Sequence, residues 1–144
     1  MKPIYKHAPN GTTTCILSDK AGNVVYGYAQ CHPEEKNPSD RVGEYIATIR
    51  AEINYYKLIR RIELKPQIKT LGHLLACINN TNSKSFDSNS PEAQLIKHQF
   101  WMAQADYKAM GDFIKELESA LKEYISNRDK IIAVLDAKDM DKNK

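Results

Sequence analysis

From Pro91 to about Lys138 the chain has no second proline and a single interior glycine, Gly111. Ser90 is a suitable N-cap, Pro91 fits the first helical position, and Glu92 complements the positive helix end. These residues predict one helix of 48 residues, about 70 Å long at 1.5 Å per residue. A compact chain of this size is roughly 40 Å across, so the helix outreaches the chain that must cover it. Its apolar positions Met110, Phe113, Leu117, Ala120, Tyr124, Ile131 and Val134 follow a 3–4 rhythm, interrupted at Asn127. Ile114, Leu121, Ile125, Ile132 and Leu135 widen the stripe. A stripe that wide wants partners on two sides. Either the helix breaks near Gly111 and folds back, or copies of the chain associate through it; the second reading is favoured.

Upstream, Thr12–Leu17 and Val24–Cys31 are strand-like runs joined by Ser18-Asp19-Lys20-Ala21-Gly22-Asn23, which predicts a β-hairpin. A turn centred on Ala21 sets Cys15 opposite Gly27. Alternation puts Val24, Tyr26 and Tyr28 on one face and Val25, Gly27, Ala29 and Cys31 on the other. The small face admits a helix; the tyrosine face reads as exposed or partner-facing. The first dozen residues, with Pro3, Pro9, Asn10 and Gly11, read as an irregular arm. Asn37, Pro38 and Asp40 signal a helix start, and Val42, Ile46, Ile49, Ile53 and Tyr56 continue at helical spacing. Gly43 costs this helix roughly 1 kcal/mol relative to alanine, which implies close packing over the hairpin. Pro66 should stop or kink the helix near Leu64, and Ile68, Leu71, Leu75 and Ile78 mark a shorter helix after it.

The expected fold is therefore α+β: a hairpin or small antiparallel sheet, then two to three helices, the last one long. It forms a single domain over 1–144, with arm and hairpin at 1–33 and a helical segment at 37–79 kinked near Pro66. A loop follows at 79–90, then the long helix at 91–138 and a tail at 139–144.

Composition excludes more than it identifies. The 144 residues contain 21 Lys+Arg and 18 Asp+Glu, a net +3 that names no nucleic-acid partner. No apolar run is long enough to span a membrane, and Met1–His7 is not followed by an apolar stretch, so no secretory signal is expected and the expected compartment is the cytoplasm. Cys15, Cys31 and Cys77 form neither a disulfide framework nor a zinc signature, and His7, His32, His73 and His98 share no metal spacing. Cys77, beside Ala76, reads as a buried small residue. There is no phosphate loop, Gly-x-Gly-x-x-Gly, His-Glu-x-x-His or Gly-x-Ser-x-Gly. Neither catalysis nor a cofactor is expected.

Binding chemistry is better represented. Lys57, Arg60 and Arg61 lie within about one helical turn, with Arg50 three turns upstream. Guanidinium groups grip phosphate bidentately, although the same residues also read as a solvated face paired to Glu52 or Glu63. The segment Asn79–Ser90 supplies amides, hydroxyls and Phe86, the parts needed to hydrogen-bond a base edge or ribose and stack on a ring. Phe100-Trp101 is a second aromatic pair, for stacking or for an interface.

The block Gly27-Tyr28-Ala29-Gln30-Cys31-His32-Pro33-Glu34-Glu35, then Arg41-Val42-Gly43-Glu44 and Ile46-Ala47-Thr48-Ile49-Arg50-Ala51, resembles the phage anti-Thoeris family. The resemblance covers residues 12–62 by motif and the rest by element order. Members bind cyclic ADP-ribose-type immune signals without cleaving them, some also bind cyclic oligonucleotides, and they assemble as dimers and hexamers through their helices. The same block also resembles small bacterial proteins compared with double-stranded RNA-binding domains. By resemblance to the sponge family, the pocket would use Arg50 or Arg60, Phe86, and Asn79 or Asn89. A second arginine is expected on the long helix, which carries only Arg128, far from its start; Lys97 or Lys108 would replace it.

The resulting expectation is a phage anti-defence protein that sequesters a cyclic nucleotide-derived signal. Arg50, Arg60 and Lys97 would hold phosphates, Phe86 would stack on adenine, and Asn79 and Asn89 would read ribose or base edges. The alternatives are a nucleic-acid binder using Lys57, Arg60 and Arg61, and an inhibitor that docks on a host protein through the tyrosine face.

Overall fold

The computed structural model describes residues 1–30, 40–80 and 90–142. Three strands, β1 (Ile4–His7), β2 (Thr12–Ser18) and β3 (Val24–Gln30), form an antiparallel sheet in the order β1-β2-β3. Helix α1 (Asp40–Ile59) leads through a π-helical turn, Arg60–Leu64, into α2 (Lys65–Asn80). Helix α3 (Pro91–Lys142) completes the α+β fold. The chain divides into two compact units, 1–55 with 115–144, and 56–114.

In the first unit the hairpin register is the one that a turn at Ala21 dictates, with Cys15 opposite Gly27 and Leu17 opposite Val25. Gly22 holds φ +88° in that turn, a conformation that glycine adopts without a Cβ clash. The Asp19 carboxylate organises the same turn, accepting from the N–H groups of Ala21 (3.0 Å) and Asn23 (2.9 Å). The expected irregular arm is instead β1, which pairs Tyr5 with Cys15 and His7 with Thr13. Pro3 lies just outside the ladder, and Pro9, Asn10 and Gly11 serve the β1–β2 turn, so none of them interrupts pairing.

Val25 and Ala29 are buried while Val24, Tyr26 and Tyr28 are exposed, as alternation requires. Helix α1 lies on the small face. A β-carbon at Gly27 would collide with the Ala47 carbonyl oxygen and the Ala51 backbone nitrogen, and one at Gly43 would stand 2.8 Å from Thr13 Oγ1. Cys15, Leu17, Ile46, Ala47, Ala51, Ile53 and Leu121 complete the core of this unit.

In the second unit the helix does not stop before Pro66. The Lys65 N–H bonds to the Arg60 carbonyl, five residues back. A proline ring clashes with the carbonyl four residues behind it and donates no hydrogen bond. Widening the preceding turn to the π pattern accommodates both defects. Leu71 and Ile78 of α2 are buried, as are Ala93, Ala103 and Ile114 of α3. Cys77, expected inside, is exposed, because it falls well away from the Leu71–Ile78 line on the helix surface.

Ser90 caps α3 as expected, its Oγ accepting from the Ala93 N–H at 3.2 Å. The helix continues through Gly111 without a break and reaches Lys142, four residues into the expected tail. Its buried positions include Gly111, Ile114 and Leu121, whereas Phe113 and Ala120 of the expected seam are exposed. Asn37, Pro38, Cys31 and His32 lie outside the described residues.

Candidate functional site

Arg60 begins the π-helical turn and is held there by residues of α3. Its Nε donates to the Tyr107 carbonyl at 3.0 Å, and its Cζ lies 3.7 Å from the centroid of the Tyr107 ring. Gly111, one turn further along α3, leaves the space that the guanidinium occupies: a β-carbon there would stand 2.6 Å from Nη2 and 2.8 Å from Cζ. One face of the guanidinium is thus committed to an aromatic ring and one nitrogen to a carbonyl. No carboxylate among the described residues pairs with it. Tyr56 and Phe113 meet edge to face nearby in sequence, with ring centroids 5.3 Å apart.

The other expected site residues fall as follows. Asn79 lies in the last turn of α2 and Lys97 in the second turn of α3, both in the same unit as Arg60. Phe86 and Asn89 lie outside the described residues. Arg50 belongs to the first unit, where its Nη1 donates to the Tyr28 carbonyl at 2.7 Å. Asn54 makes the equivalent bond to the Tyr26 carbonyl, also 2.7 Å. Together they occupy carbonyls on the open edge of β3, a standard way to blunt an edge strand. Lys57 and Arg61 are exposed, Phe100 packs beside Gly72, and Trp101 is 66% exposed.

The first unit holds two further polar arrangements. Glu44 Oε1 lies 2.8 Å from His7 Nε2, and Thr13 Oγ1 lies 3.3 Å from His7 Nδ1. A carboxylate only accepts, so in the neutral ring Nε2 carries the proton and Thr13 donates to Nδ1. This hydroxyl–imidazole–carboxylate chain has the connectivity of a hydrolase triad. However, Thr13 is only 3% exposed, and the void beside it, about 10 Å³, holds one water at most. A substrate has no room at that hydroxyl. Cys15 is equally enclosed; burial pushes its thiol pKa up, against a lowering hydrogen bond with Thr48, and the Glu52 carboxylate adds to the rise.

The second arrangement is a groove of about 500 Å³, bordered by Tyr5 of β1, Leu117 of α3, and Arg41, Glu44, Tyr45, Thr48, Ile49 and Glu52 of α1. Tyr45 is braced by the Tyr124 ring, centroid to centroid 5.0 Å. The Thr48 hydroxyl donates to the Glu44 carbonyl and accepts from the Tyr5 hydroxyl at 2.7 Å.

The sequence reading missed both Tyr107 and Gly111 as the seat of Arg60, and it missed the groove. Arg41, Tyr45, Thr48 and Glu52 follow 4–3–4 spacing, which would have identified a polar stripe along α1. No comparable local signal links Arg60 to Tyr107, 47 residues away. No cluster of three His, Cys, Asp or Glu side chains among the described residues is arranged to hold a metal ion, and no helix there is long and apolar enough to cross a membrane. Comparison with protein-family models, with curated proteins and with solved structures yields no match.

Proposed function

We propose that the protein is a phage anti-defence sponge: it binds a cyclic nucleotide-derived immune signal, of the cyclic ADP-ribose type, and holds it without cleaving it. The observation that carries this reading is the seating of Arg60. A guanidinium fixed through Nε and stacked on Tyr107 loses little further rotamer freedom when it grips a phosphate. Lys97, in the same unit, would supply a second positive charge, and Asn79, Phe86 and Asn89 would read base and ribose. Arg50 belongs to the other unit and commits one N–H to the Tyr28 carbonyl, so the reading rests on Arg60. Sequestration requires affinity and stoichiometry rather than an acid–base pair, which agrees with the enclosed hydroxyl of Thr13 and thiol of Cys15.

The proposed assembly is a homodimer or larger oligomer formed through helices. Leu74 of α2 and Leu95, Trp101 and Met102 of α3 are all large, apolar and exposed, and such surface favours self-association.

The test is incubation of the purified chain with cyclic ADP-ribose isomers and cyclic oligonucleotides, followed by washing, heat release and mass spectrometry. Intact ligand recovered from wild type and lost from Arg60→Ala is the expected result. Retention of none of these compounds would overturn the reading, and recovery of a hydrolysed product would replace sequestration with catalysis. Native mass spectrometry of the same sample gives the assembly; a monomer at micromolar concentration would remove the helical interface.

A further inference from the structure

We propose that the groove between β1 and α1 binds an extended peptide of another protein, which adds to the outer edge of β1 and is oriented by Arg41 at one end and Glu52 at the other.

The edge comes first. The Ala8 N–H donates to the Thr12 carbonyl at 2.9 Å. Antiparallel ladders alternate, so Lys6 and Ile4 turn their hydrogen-bonding groups toward β2 in the same way, and the N–H and C=O of Tyr5 point to the outer edge. Neither Tyr5 group has a backbone partner among the described residues. The opposite edge of the sheet differs, because Asn54 and Arg50 already occupy the Tyr26 and Tyr28 carbonyls. The sheet can therefore accept a fourth strand at β1.

The groove gives that strand a bed. Arg41, Tyr45, Thr48 and Glu52 recur at 4, 3 and 4 residues and lie along one face of α1. Eleven residues of helix separate Arg41 from Glu52, about 16 Å, the span of roughly five residues of extended chain. Strand β1 runs antiparallel to this stretch, with Tyr5 bonded to Thr48 and His7 to Glu44. The His7 end of the edge thus lies toward Arg41 and the Ile4 end toward Glu52. A strand laid between sheet edge and helix is a recurring mode of peptide recognition: backbone bonds give affinity and alternate side chains give specificity.

Charge selects the occupant. Arg41 is exposed and Glu52 half-buried at the two ends of the groove, so an occupant with opposite charges at its two ends complements both. A phosphate-rich ligand would meet Glu44 and Glu52 in the same groove and be repelled. A peptide bearing an acidic side chain at one end and a lysine or arginine about five residues away satisfies both ends. Tyr45, braced by Tyr124, offers an apolar wall to a side chain between them. This site shares no residue with the Arg60 site and does not depend on the sponge reading.

The experiment is selection of a displayed library of randomised nine-residue peptides on the full-length protein. The enriched peptides are then measured against wild type, Arg41→Glu, and the double variant Arg41→Glu with Glu52→Arg. We expect enriched peptides to carry opposite charges about five positions apart and to slow hydrogen exchange at the Tyr5 amide. They should bind Arg41→Glu and the double variant at least about tenfold more weakly, the size expected for losing a charge-assisted contact. A peptide with its two charges exchanged should recover binding to the double variant, which also shows that this variant is folded. Failure to enrich any peptide, equal binding by all three proteins, or unchanged exchange at Tyr5 would each overturn the proposal.

Discussion

Gly27 and Gly111 each omit a β-carbon so that something else can come close, but what comes close differs. At Gly27 it is the backbone of α1, through the Ala47 carbonyl and the Ala51 nitrogen; at Gly111 it is the end of the Arg60 side chain. Backbone in the middle of a helix cannot rotate aside, whereas a guanidinium on a flexible stem can. The first glycine therefore governs whether the sheet and helix pack at all, and the second governs where one charge is held. Gly27→Ala should be the most damaging single methyl group in the first unit. Helix α1 would have to lift from the face where Val25, Ala29, Ala47 and Ala51 are buried. Overpacking of this kind costs about 3 kcal/mol, and the melting temperature should fall by on the order of 10 °C. A variant that melts with wild type would mean that α1 does not rest on β3 at this position.

Gly111→Ala sharpens the contrast because stability and binding should separate. Alanine gains about 1 kcal/mol of helix propensity over glycine, and loss of the Arg60–Tyr107 stack returns about 1 kcal/mol. Denaturant unfolding should accordingly move little. Capture of a cyclic nucleotide should fall at least tenfold, roughly the value of one charge-assisted hydrogen bond, because the guanidinium is pushed off its seat. Arg60→Ala should lose capture as well. If both variants retain ligand as wild type does, the Arg60 seat is a packing feature and the sponge reading loses its main support.

The difference between these two sites also explains what could be read from the sequence. The hairpin register, the small face of β3 and the close approach at Gly43 follow from alternation and turn chemistry within thirty or so residues. Ser90 and Pro91 marked the start of α3 for the same local reason. Strand β1 was hidden because prolines and a glycine surround it, although they lie outside its ladder and in its turn. A helical segment disturbed near Pro66 was legible, but the π-helical turn that accommodates the proline was not, because such a turn has no compositional signature. The seat of Arg60 depends on Tyr107 and Gly111 of another helix, so no window of sequence could contain it. The polar stripe Arg41–Tyr45–Thr48–Glu52 was legible in principle, but the apolar stripe of the same helix drew the reading toward packing alone.

The two arginines expected in one site provide a smaller test of the same contrast. Arg50 donates to a strand carbonyl and Arg60 to a carbonyl beside an aromatic face, so they should answer differently to truncation. Arg50→Ala should cost about 1 kcal/mol by removing one hydrogen bond from the β3 edge, with nucleotide capture unchanged. It should also expose the Tyr28 carbonyl to strand pairing, seen as faster aggregation on warming than for Arg60→Ala. Loss of capture in Arg50→Ala would return this residue to the ligand site.

The smallest expected effect lies at the hairpin turn and depends on pH. The Asp19 carboxylate accepts from the Asn23 side-chain amide at 2.9 Å and from the Tyr55 hydroxyl at 2.9 Å, besides the two backbone N–H groups of its turn. Bonds from the Asn23 side chain and then its backbone lower the Asp19 pKa from its ordinary value, with smaller help from Tyr55 and Ala21 against a desolvation cost. A lowered pKa means that the folded chain binds this proton more weakly than the unfolded chain does. Its stabilising contribution is therefore complete above about pH 5, where the unfolded aspartate is almost fully ionised, and is lost as pH falls through the lower folded value. Asp19→Asn should melt below wild type at pH 7, and the gap should narrow as pH falls from about 5 through the lowered folded pKa. A gap that persists at pH 2 would show that the Tyr55 link from α1 to the turn does not depend on the carboxylate charge.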